Sequence, residues 1–223
     1  MSHLLFAVGW AVGGAVVGVA LNYLSRWLAR IEEIEFQQST RDSLIMPVLA
    51  AGLFFLFALQ LGIQPLLFID SLYVAILVQV LGFDLKTRYI LDFVMFPSWV
   101  IAFALAFVTP WNRALTWPWP DWRTAAVAGL IAGGIFLVLF LGGQLILGAE
   151  AFGFGDVKLA VFIGLATGLS NLRMAHALLD GVFLGGFVAI ILLITRIRSF
   201  KDAVPYGPFL VIGTLFVLYS QAP

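Results

Sequence analysis

The chain has 223 residues, of which 62% are hydrophobic and only 11% are charged. Soluble domains carry about 25% charged residues, so this composition excludes an ordinary water-soluble protein. The 12 basic and 12 acidic residues cancel, which excludes the basic footprint of a nucleic-acid-binding protein. The absence of cysteine excludes disulfides, thiolate metal sites and cysteine nucleophiles. We expect an all-α, polytopic integral membrane protein, because backbone in hydrocarbon must satisfy its own hydrogen bonds.

Eight apolar stretches approach the length of about 20 residues that a helix needs to cross a bilayer. We predict transmembrane helices at about 4–24, 44–63, 66–83, 93–110, 125–147, 157–170, 177–195 and 205–220. The first stretch lacks the basic start and the cleavage site of a signal peptide, so we expect it to be a span. The result is one transmembrane domain over 1–223, with a cytoplasmic loop or interfacial helix at about 25–43.

The orientation follows from the distribution of Lys and Arg, which favour cytoplasmic connections. One set of alternate connections holds nine basic residues: Arg26, Arg30, Arg41, Lys86, Arg88, Lys158, Arg196, Arg198 and Lys201. The other set holds three: Arg113, Arg123 and Arg173. This bias places the first set in the cytoplasm and both termini outside. The outer segment from Trp111 to Trp122 has the tryptophan-rich composition of an interfacial belt, and a plain surface loop is an equally good interpretation.

Acidic residues at or inside the membrane are costly and by default mark a functional site. The candidates are Asp70, Asp84, Asp92, Asp156 and Asp180, with Glu150 more loosely placed. By the parity of the spans, the third helix ends at Asp84 on the cytoplasmic side and the sixth helix begins at Asp156 on the same side. Asp70 precedes Asp84 by a helical rise of about 21 Å, so it belongs near the outer face, as does Asp180.

Asp156 follows two glycines, Gly153 and Gly155, that are separated by one residue. One interpretation is that Asp156 is the N-cap of the sixth helix, where it would accept backbone N–H bonds. The other is that the glycines let a second chain approach closely and leave the carboxylate uncrowded. Asp84 likewise has a simpler interpretation, as a solvated acid beside Lys86 and Arg88.

Two carboxylates that share a site hold one proton between them. Such a dyad can activate water as a base while it protonates a carbonyl oxygen or a leaving amine, which is peptide hydrolysis without a metal. Other catalytic sets have little support, because His3 and His176 lie far apart in the sequence and near the outer side. Asp84 and Asp156 are therefore the candidates for such a dyad, and we expect no metal site.

Four segments around these residues resemble bacterial type IV prepilin peptidases, which are aspartic proteases of the GxGD class. In chain order they are Gly18-Val19-Ala20-Leu21-Asn22-Tyr23, Asp84-Leu85-Lys86-Thr87-Arg88-Tyr89-Ile90, Gly153-Phe154-Gly155-Asp156-Val157-Lys158-Leu159 and Val204-Pro205-Tyr206-Gly207-Pro208-Phe209-Leu210. The resemblance implies that Asp84 and Asp156 are the catalytic pair. Gly153, Gly155 and Lys158 are then the candidates for contact with the substrate backbone.

The resemblance also implies a cellular role. It implies a multi-pass endopeptidase of the bacterial inner membrane, with its active site facing the cytoplasm. Its substrates would be the prepilins of type IV pili or the pseudopilins of type II secretion, cut after a glycine and before their apolar helix. Many members also methylate the new N-terminus with S-adenosylmethionine. Many carry a cytoplasmic zinc-binding domain with paired cysteines, and here only the segment at about 25–43 occupies its place, so methylation stays open.

Two other functions are compatible with the sequence. A presenilin-like intramembrane protease would share Gly-x-Gly-Asp, but such proteases carry a Pro-Ala-Leu segment, which does not occur here. A transporter or channel would use Asp70 and Asp180 as intramembrane ion ligands. That alternative predicts an ion flux that depends on these two aspartates, whereas the peptidase hypothesis predicts none.

Overall fold

The computed structural model describes residues 2–34, 42–108, 120–147, 153–195 and 206–220. Most of the tryptophan-rich segment 111–122 lies outside these ranges. So do the following residues discussed above: Glu35, Arg41, Glu150, Arg196, Arg198, Lys201, Val204 and Pro205.

The described residues form eight α-helices, one at each predicted span. They are α1 Ser2–Ile31, α2 Ile45–Leu61, α3 Pro65–Thr87, α4 Asp92–Val108, α5 Trp122–Leu147, α6 Phe154–Thr167, α7 Arg173–Ile194 and α8 Gly207–Ser220. Five helices, α1, α2, α3, α5 and α7, are long and apolar enough to cross a membrane, and α4 and α8 are shorter apolar helices. The predicted class is confirmed: the protein is an all-α, polytopic membrane protein.

The backbone divides into two compact units. The first comprises residues 1–89 and 218–223, and the second comprises residues 90–217. Helices α1 to α3 therefore belong to the first unit, while α4 to α7 and most of α8 belong to the second. The expectation of one domain over the whole chain stays a prediction.

In the first unit, α1 and α2 lie in close contact through two glycines one helical turn apart. A Cβ atom on Gly14 would lie 2.7 Å from the Ala50 carbonyl oxygen, and one on Gly18 would lie 2.4 Å from the Pro47 Cα. Neither backbone atom can move aside cheaply, so these positions require glycine. One turn later, the Asn22 side chain donates a hydrogen bond of 2.6 Å to the Ser43 carbonyl. The first of the four family-like segments therefore holds these two helices together.

The segment at about 25–43 is predicted to be a loop or an interfacial helix. Its first part is neither a loop nor a separate helix, because α1 continues to Ile31. Ser25, Leu28 and Ala29 are buried, whereas Arg26 and Arg30 are exposed. This alternation at helical spacing makes the last turns of α1 amphipathic. The polar composition suggested a loop because the few inward-facing residues were hidden among charged neighbours.

In the second unit, the short helix α6 is the most enclosed element. Nearly every residue from Asp156 to Thr167 is buried. A Cβ atom on Gly164 would lie 2.4 Å from the Ala128 carbonyl oxygen of α5, so the two backbones touch. An α6 of 14 residues is shorter than the about 20 residues of a full span.

Helix α5 begins three residues earlier than predicted, because Asp121 caps it. The Thr124 backbone N–H donates a hydrogen bond of 2.8 Å to Asp121 Oδ1, as is typical of an N-cap. This bond, with a second one from the Thr124 hydroxyl, lowers the pKa of the Asp121 carboxyl below its ordinary value.

Candidate active site

Asp84 lies on α3, the most enclosed of the long helices. Within its most apolar window α3 is 67% buried, against 17–33% for the other four candidate spans. The helix begins with Pro65 at its first position, where a missing N–H costs nothing. It ends at Thr87 and is capped by Arg88, which has left-handed backbone and donates its N–H to the Asp84 carbonyl oxygen over 2.8 Å. Asp84 is thus held in the final turn of an interior helix.

Three contacts fix the face that α3 turns towards its neighbours in the first unit. Gln79 Nε2 donates a hydrogen bond of 2.8 Å to Ser25 Oγ on α1. A Cβ atom on Gly82 would overlap the Met46 side chain of α2. Lys86 Nζ lies 3.7 Å from a carboxylate oxygen of Asp42.

These contacts determine the direction of Asp84. Two residues along an α-helix turn the side chain by about 200°, so Asp84 points away from the face that Gly82 presents to α2. Asp84 is nevertheless only 4% exposed. Within the described part of the chain, its Oδ2 atom is buried and has no hydrogen-bond partner. A buried carboxylate oxygen of this kind requires an explanation, and a catalytic role is one.

Asp156 lies in the first turn of α6, but it is not the N-cap. The N-cap is Gly153, with extended backbone and no side-chain cap bond, and Asp156 occupies the third helical position. Its own N–H donates to the Gly153 carbonyl oxygen over 3.1 Å, and its side chain is 8% exposed. The capping interpretation is therefore wrong. The first turn still suits a carboxylate, since the helix dipole favours negative charge there.

The two glycines before Asp156 differ in what surrounds them. A Cβ atom on Gly155 would lie 2.9 Å from the Ile90 Cβ, closer than real contacts of this kind. A Cβ atom on Gly153 would lie 3.7 Å from Asp156 Oδ2, which is ordinary contact. Gly155 is thus required by a close approach of the segment before α4, whereas a side chain at 153 would only lie against the carboxylate.

Lys158, a predicted substrate contact, has partners inside the protein. Its ammonium group forms an ion pair with Asp92 at the start of α4 and lies 5.0 Å from the centre of the Phe154 ring. The Lys158 carbonyl oxygen accepts a hydrogen bond of 2.9 Å from Trp99 Nε1. These roles of Asp92 and Trp99 are not evident from the sequence. An acid paired with a base 66 positions away leaves no local signal.

The remaining candidate residues take other places. Asp70 is buried on α3 at 2% exposure, and Asp180 is half-buried on α7. His3 and His176 are exposed. Within the described ranges, no three His, Cys, Asp or Glu residues come together as a metal would require.

Asp84 belongs to the first unit and Asp156 to the second. Each is buried near the end of a helix. The prediction that the two carboxylates meet stays a prediction.

Comparison with known proteins bears on both aspartates. Residues 71–194 match the type IV leader peptidase family, and this segment is just over half of the chain. The chain belongs to that family. The match contains both Asp84 and the turn from Gly153 to Lys158, so the resemblance seen in the sequence is confirmed.

The sequence of this type IV leader peptidase family member is also similar to parts of individual curated proteins. It is 36% identical over 105 residues to a prepilin leader peptidase/N-methyltransferase of Pseudomonas putida, covering 47% of this chain and 35% of the relative. It is 34% identical over 101 residues to a protein of the same name from Burkholderia pseudomallei, covering 44% of this chain and 32% of the relative. The alignments thus span about a third of these curated relatives. No solved structure matches the chain significantly.

The C-terminal family-like segment lies outside the family match, and its described part packs α8 on α7. The Tyr206 carbonyl oxygen accepts hydrogen bonds from the N–H groups of Phe209 and Leu210. A Cβ atom on Gly181 would lie 2.7 Å from the Leu210 Cα. The segment therefore serves helix packing within the second unit.

Proposed function

We propose that this protein is a membrane aspartic endopeptidase that removes the leader peptide of type IV prepilins or pseudopilins. One observation carries the proposal. Both aspartates lie inside the segment that matches the type IV leader peptidase family, and both are buried. Burial of an ionised carboxylate costs free energy. A catalytic role would explain why the protein keeps two such acids buried.

In the proposed mechanism, Asp84 and Asp156 share one proton and hold a water molecule between them. The ionised carboxylate removes a proton from the water molecule while the oxygen of that water attacks the scissile carbonyl carbon. The protonated carboxyl donates its proton to the carbonyl oxygen. When the tetrahedral diol intermediate collapses, the C–N bond breaks and the leaving nitrogen takes the proton that came from water. One hydroxyl of the diol returns its proton to the second carboxylate as the new carbonyl forms. The dyad returns to its starting state, and no metal or covalent intermediate is required.

The proposed substrate suits a site at the membrane surface. The apolar helix of a prepilin would lie among the spans, while its basic leader stays in the cytoplasm. The distribution of Lys and Arg supports that side for both aspartates, because Lys86, Arg88 and Lys158 lie within four residues of them. We therefore propose a location in the bacterial inner membrane with the dyad facing the cytoplasm.

The names of the relatives include N-methyltransferase activity, and the sequence resemblance implies S-adenosylmethionine as its methyl donor. The mechanism proposed here for cleavage uses no step on this cofactor.

The decisive experiment incubates the purified protein in lipid nanodiscs with a prepilin and S-adenosylmethionine, followed by mass spectrometry of the new N-terminus. We expect a product that begins at the residue after the leader glycine. An unmethylated product would assign peptidase activity alone, and an added methyl group would assign both activities. An intact prepilin, under conditions where a characterised family member cuts it, would contradict the proposal.

Chelators should leave the activity unchanged, because the proposed chemistry uses two carboxylates and water. We expect the initial cleavage rate with excess EDTA to equal the rate without it. Inhibition that added zinc reverses would require a metal-dependent mechanism instead.

A further inference from the structure

Four contacts of the second unit converge on the first two turns of α6. Asp92 forms an ion pair with Lys158, and Trp99 Nε1 donates to the Lys158 carbonyl oxygen over 2.9 Å. Lys158 Nζ also lies 5.0 Å from the Phe154 ring centre. Two residues before Asp92, the Ile90 side chain lies against Gly155. A Cβ atom added at Gly155 would lie 2.9 Å from the Ile90 Cβ.

Together these contacts attach the start of α4 to the turn that carries Asp156. The ion pair holds Asp92 against Lys158, two residues after Asp156. The packing of Ile90 holds the segment just before α4 against Gly155, one residue before Asp156. Ile90 and Leu91 are both buried, so the segment has little freedom. A movement at Asp92 would therefore be transmitted to the backbone on either side of Asp156.

The burial of the two partners is unequal. The Lys158 side chain is 12% exposed, whereas that of Asp92 is 50% exposed. Exposed ion pairs contribute little to stability, but the Lys158 side chain as a whole is only 12% exposed, so it has little room for another arrangement. If Asp92 lost its charge, we expect Lys158 to turn towards water and to disturb the first two turns of α6.

We propose that Asp92 and Lys158 are positioning residues that set the orientation of the Asp156 carboxylate. Lys158 acts through Asp92 rather than by contact with the substrate. This inference rests on the proposed peptidase function. In it, Asp92 and Lys158 hold Asp156 in place and transfer no proton themselves.

The test compares Asp92→Asn, Lys158→Met and the charge-exchanged double variant Asp92→Lys/Lys158→Asp in the prepilin cleavage assay. For each single variant we expect kcat to fall about tenfold, since small misplacements of a catalytic group are costly. We expect KM to stay within about twofold, because substrate binding is not altered. The double variant should recover kcat to within about threefold of wild type, as expected for two directly coupled residues.

Arg123→Met serves as the matched control. It also removes a basic side chain that lies over an aromatic ring, that of Trp122, but at the opposite end of a helix from the glycine turn. We expect wild-type kinetics for this variant. A loss equal to that of Lys158→Met would show that removal of any basic residue impairs the assay, and would overturn the proposal.

A second measurement is independent of catalysis, because the chain has no cysteine. Asp156→Cys places one thiol at the candidate site, and its labelling rate by a small reagent reports its exposure. We expect faster labelling when Asp92→Asn or Lys158→Met is added, and recovery with the charge exchange. If the wild-type chain does not cut prepilins, this result alone decides the inference.

Three outcomes would overturn the positioning role. They are a rise in KM confined to Lys158→Met, as for direct substrate binding; an unchanged kcat in both single variants; and a labelling rate that neither single variant alters.

Discussion

Replacement of either Asp84 or Asp156 with asparagine should abolish leader cleavage while the protein stays folded in the membrane. A positioned acid or base contributes about 10²–10⁴ to a rate, and asparagine can neither accept nor donate the proton. Asp84 Oδ2 has no hydrogen bond within the described part of the chain, so loss of its charge breaks no bond that this oxygen makes there. The initial rate on a prepilin should fall at least about 100-fold.

The control for this prediction is Asp180→Asn, which neutralises a half-buried acid on α7. We expect wild-type cleavage for that variant, and its thermal unfolding midpoint and gel-filtration profile should match those of the two active-site variants. A rate close to wild type for Asp84→Asn or Asp156→Asn would remove that residue from the dyad.

The meeting of the two carboxylates can be tested without activity. The chain has no cysteine, so Asp84→Cys/Asp156→Cys introduces a single pair of thiols. Direct disulfides need Cβ atoms about 3.5–4.5 Å apart, so short bifunctional thiol reagents are the better probe. We expect an intramolecular cross-link in this pair and none in Asp84→Cys/Asp180→Cys. Failure of the first pair to cross-link, with both thiols reactive, would contradict the dyad.

Gly155→Val should impair cleavage strongly, because the position has no room for a side chain. Even the first added carbon would lie 2.9 Å from the Ile90 Cβ, 3.2 Å from its Cγ1 and 3.4 Å from its Cδ1. Overpacking of this kind costs about 1–3 kcal/mol, and the chain relieves it by moving the turn that holds Asp156. We expect a fall in kcat of at least about tenfold, measured as for the aspartate variants.

The geometry supplies both a control and a rescue. Apart from the backbone of α5 itself, no atom of the described residues lies within 4 Å of an added Cβ at Gly134 on α5, so Gly134→Val should cleave normally. In the Gly155→Ala background, Ile90→Gly removes all three crowding atoms, whereas Ile90→Ala leaves the Cβ at 2.9 Å. Recovery should therefore be greater with Ile90→Gly. Full activity of Gly155→Val would show that this glycine has no part in placing Asp156.

The sequence by itself determined the class of fold and the approximate position of each helix. Backbone in hydrocarbon must form its own hydrogen bonds, so a run of apolar residues becomes a helix whatever its neighbours are. Composition therefore sufficed for eight helices, and the motifs around Asp84 and Asp156 sufficed for the family. The continuation of α1 to Ile31 escaped detection, because charged residues on one face concealed the buried Ser25.

Only the tertiary structure decided which side chains meet. That Lys158 pairs with Asp92, that Ile90 lies against Gly155 and that Gly153 rather than Asp156 caps α6 depend on how the helices pack. The relative rotation and translation of two helices determine which of their side chains meet. Because these helices are almost uniformly apolar, their hydropathy alone permits several rotations and translations. The close approaches at the glycines select one arrangement, because a shift of a single residue would bring side chains into backbone.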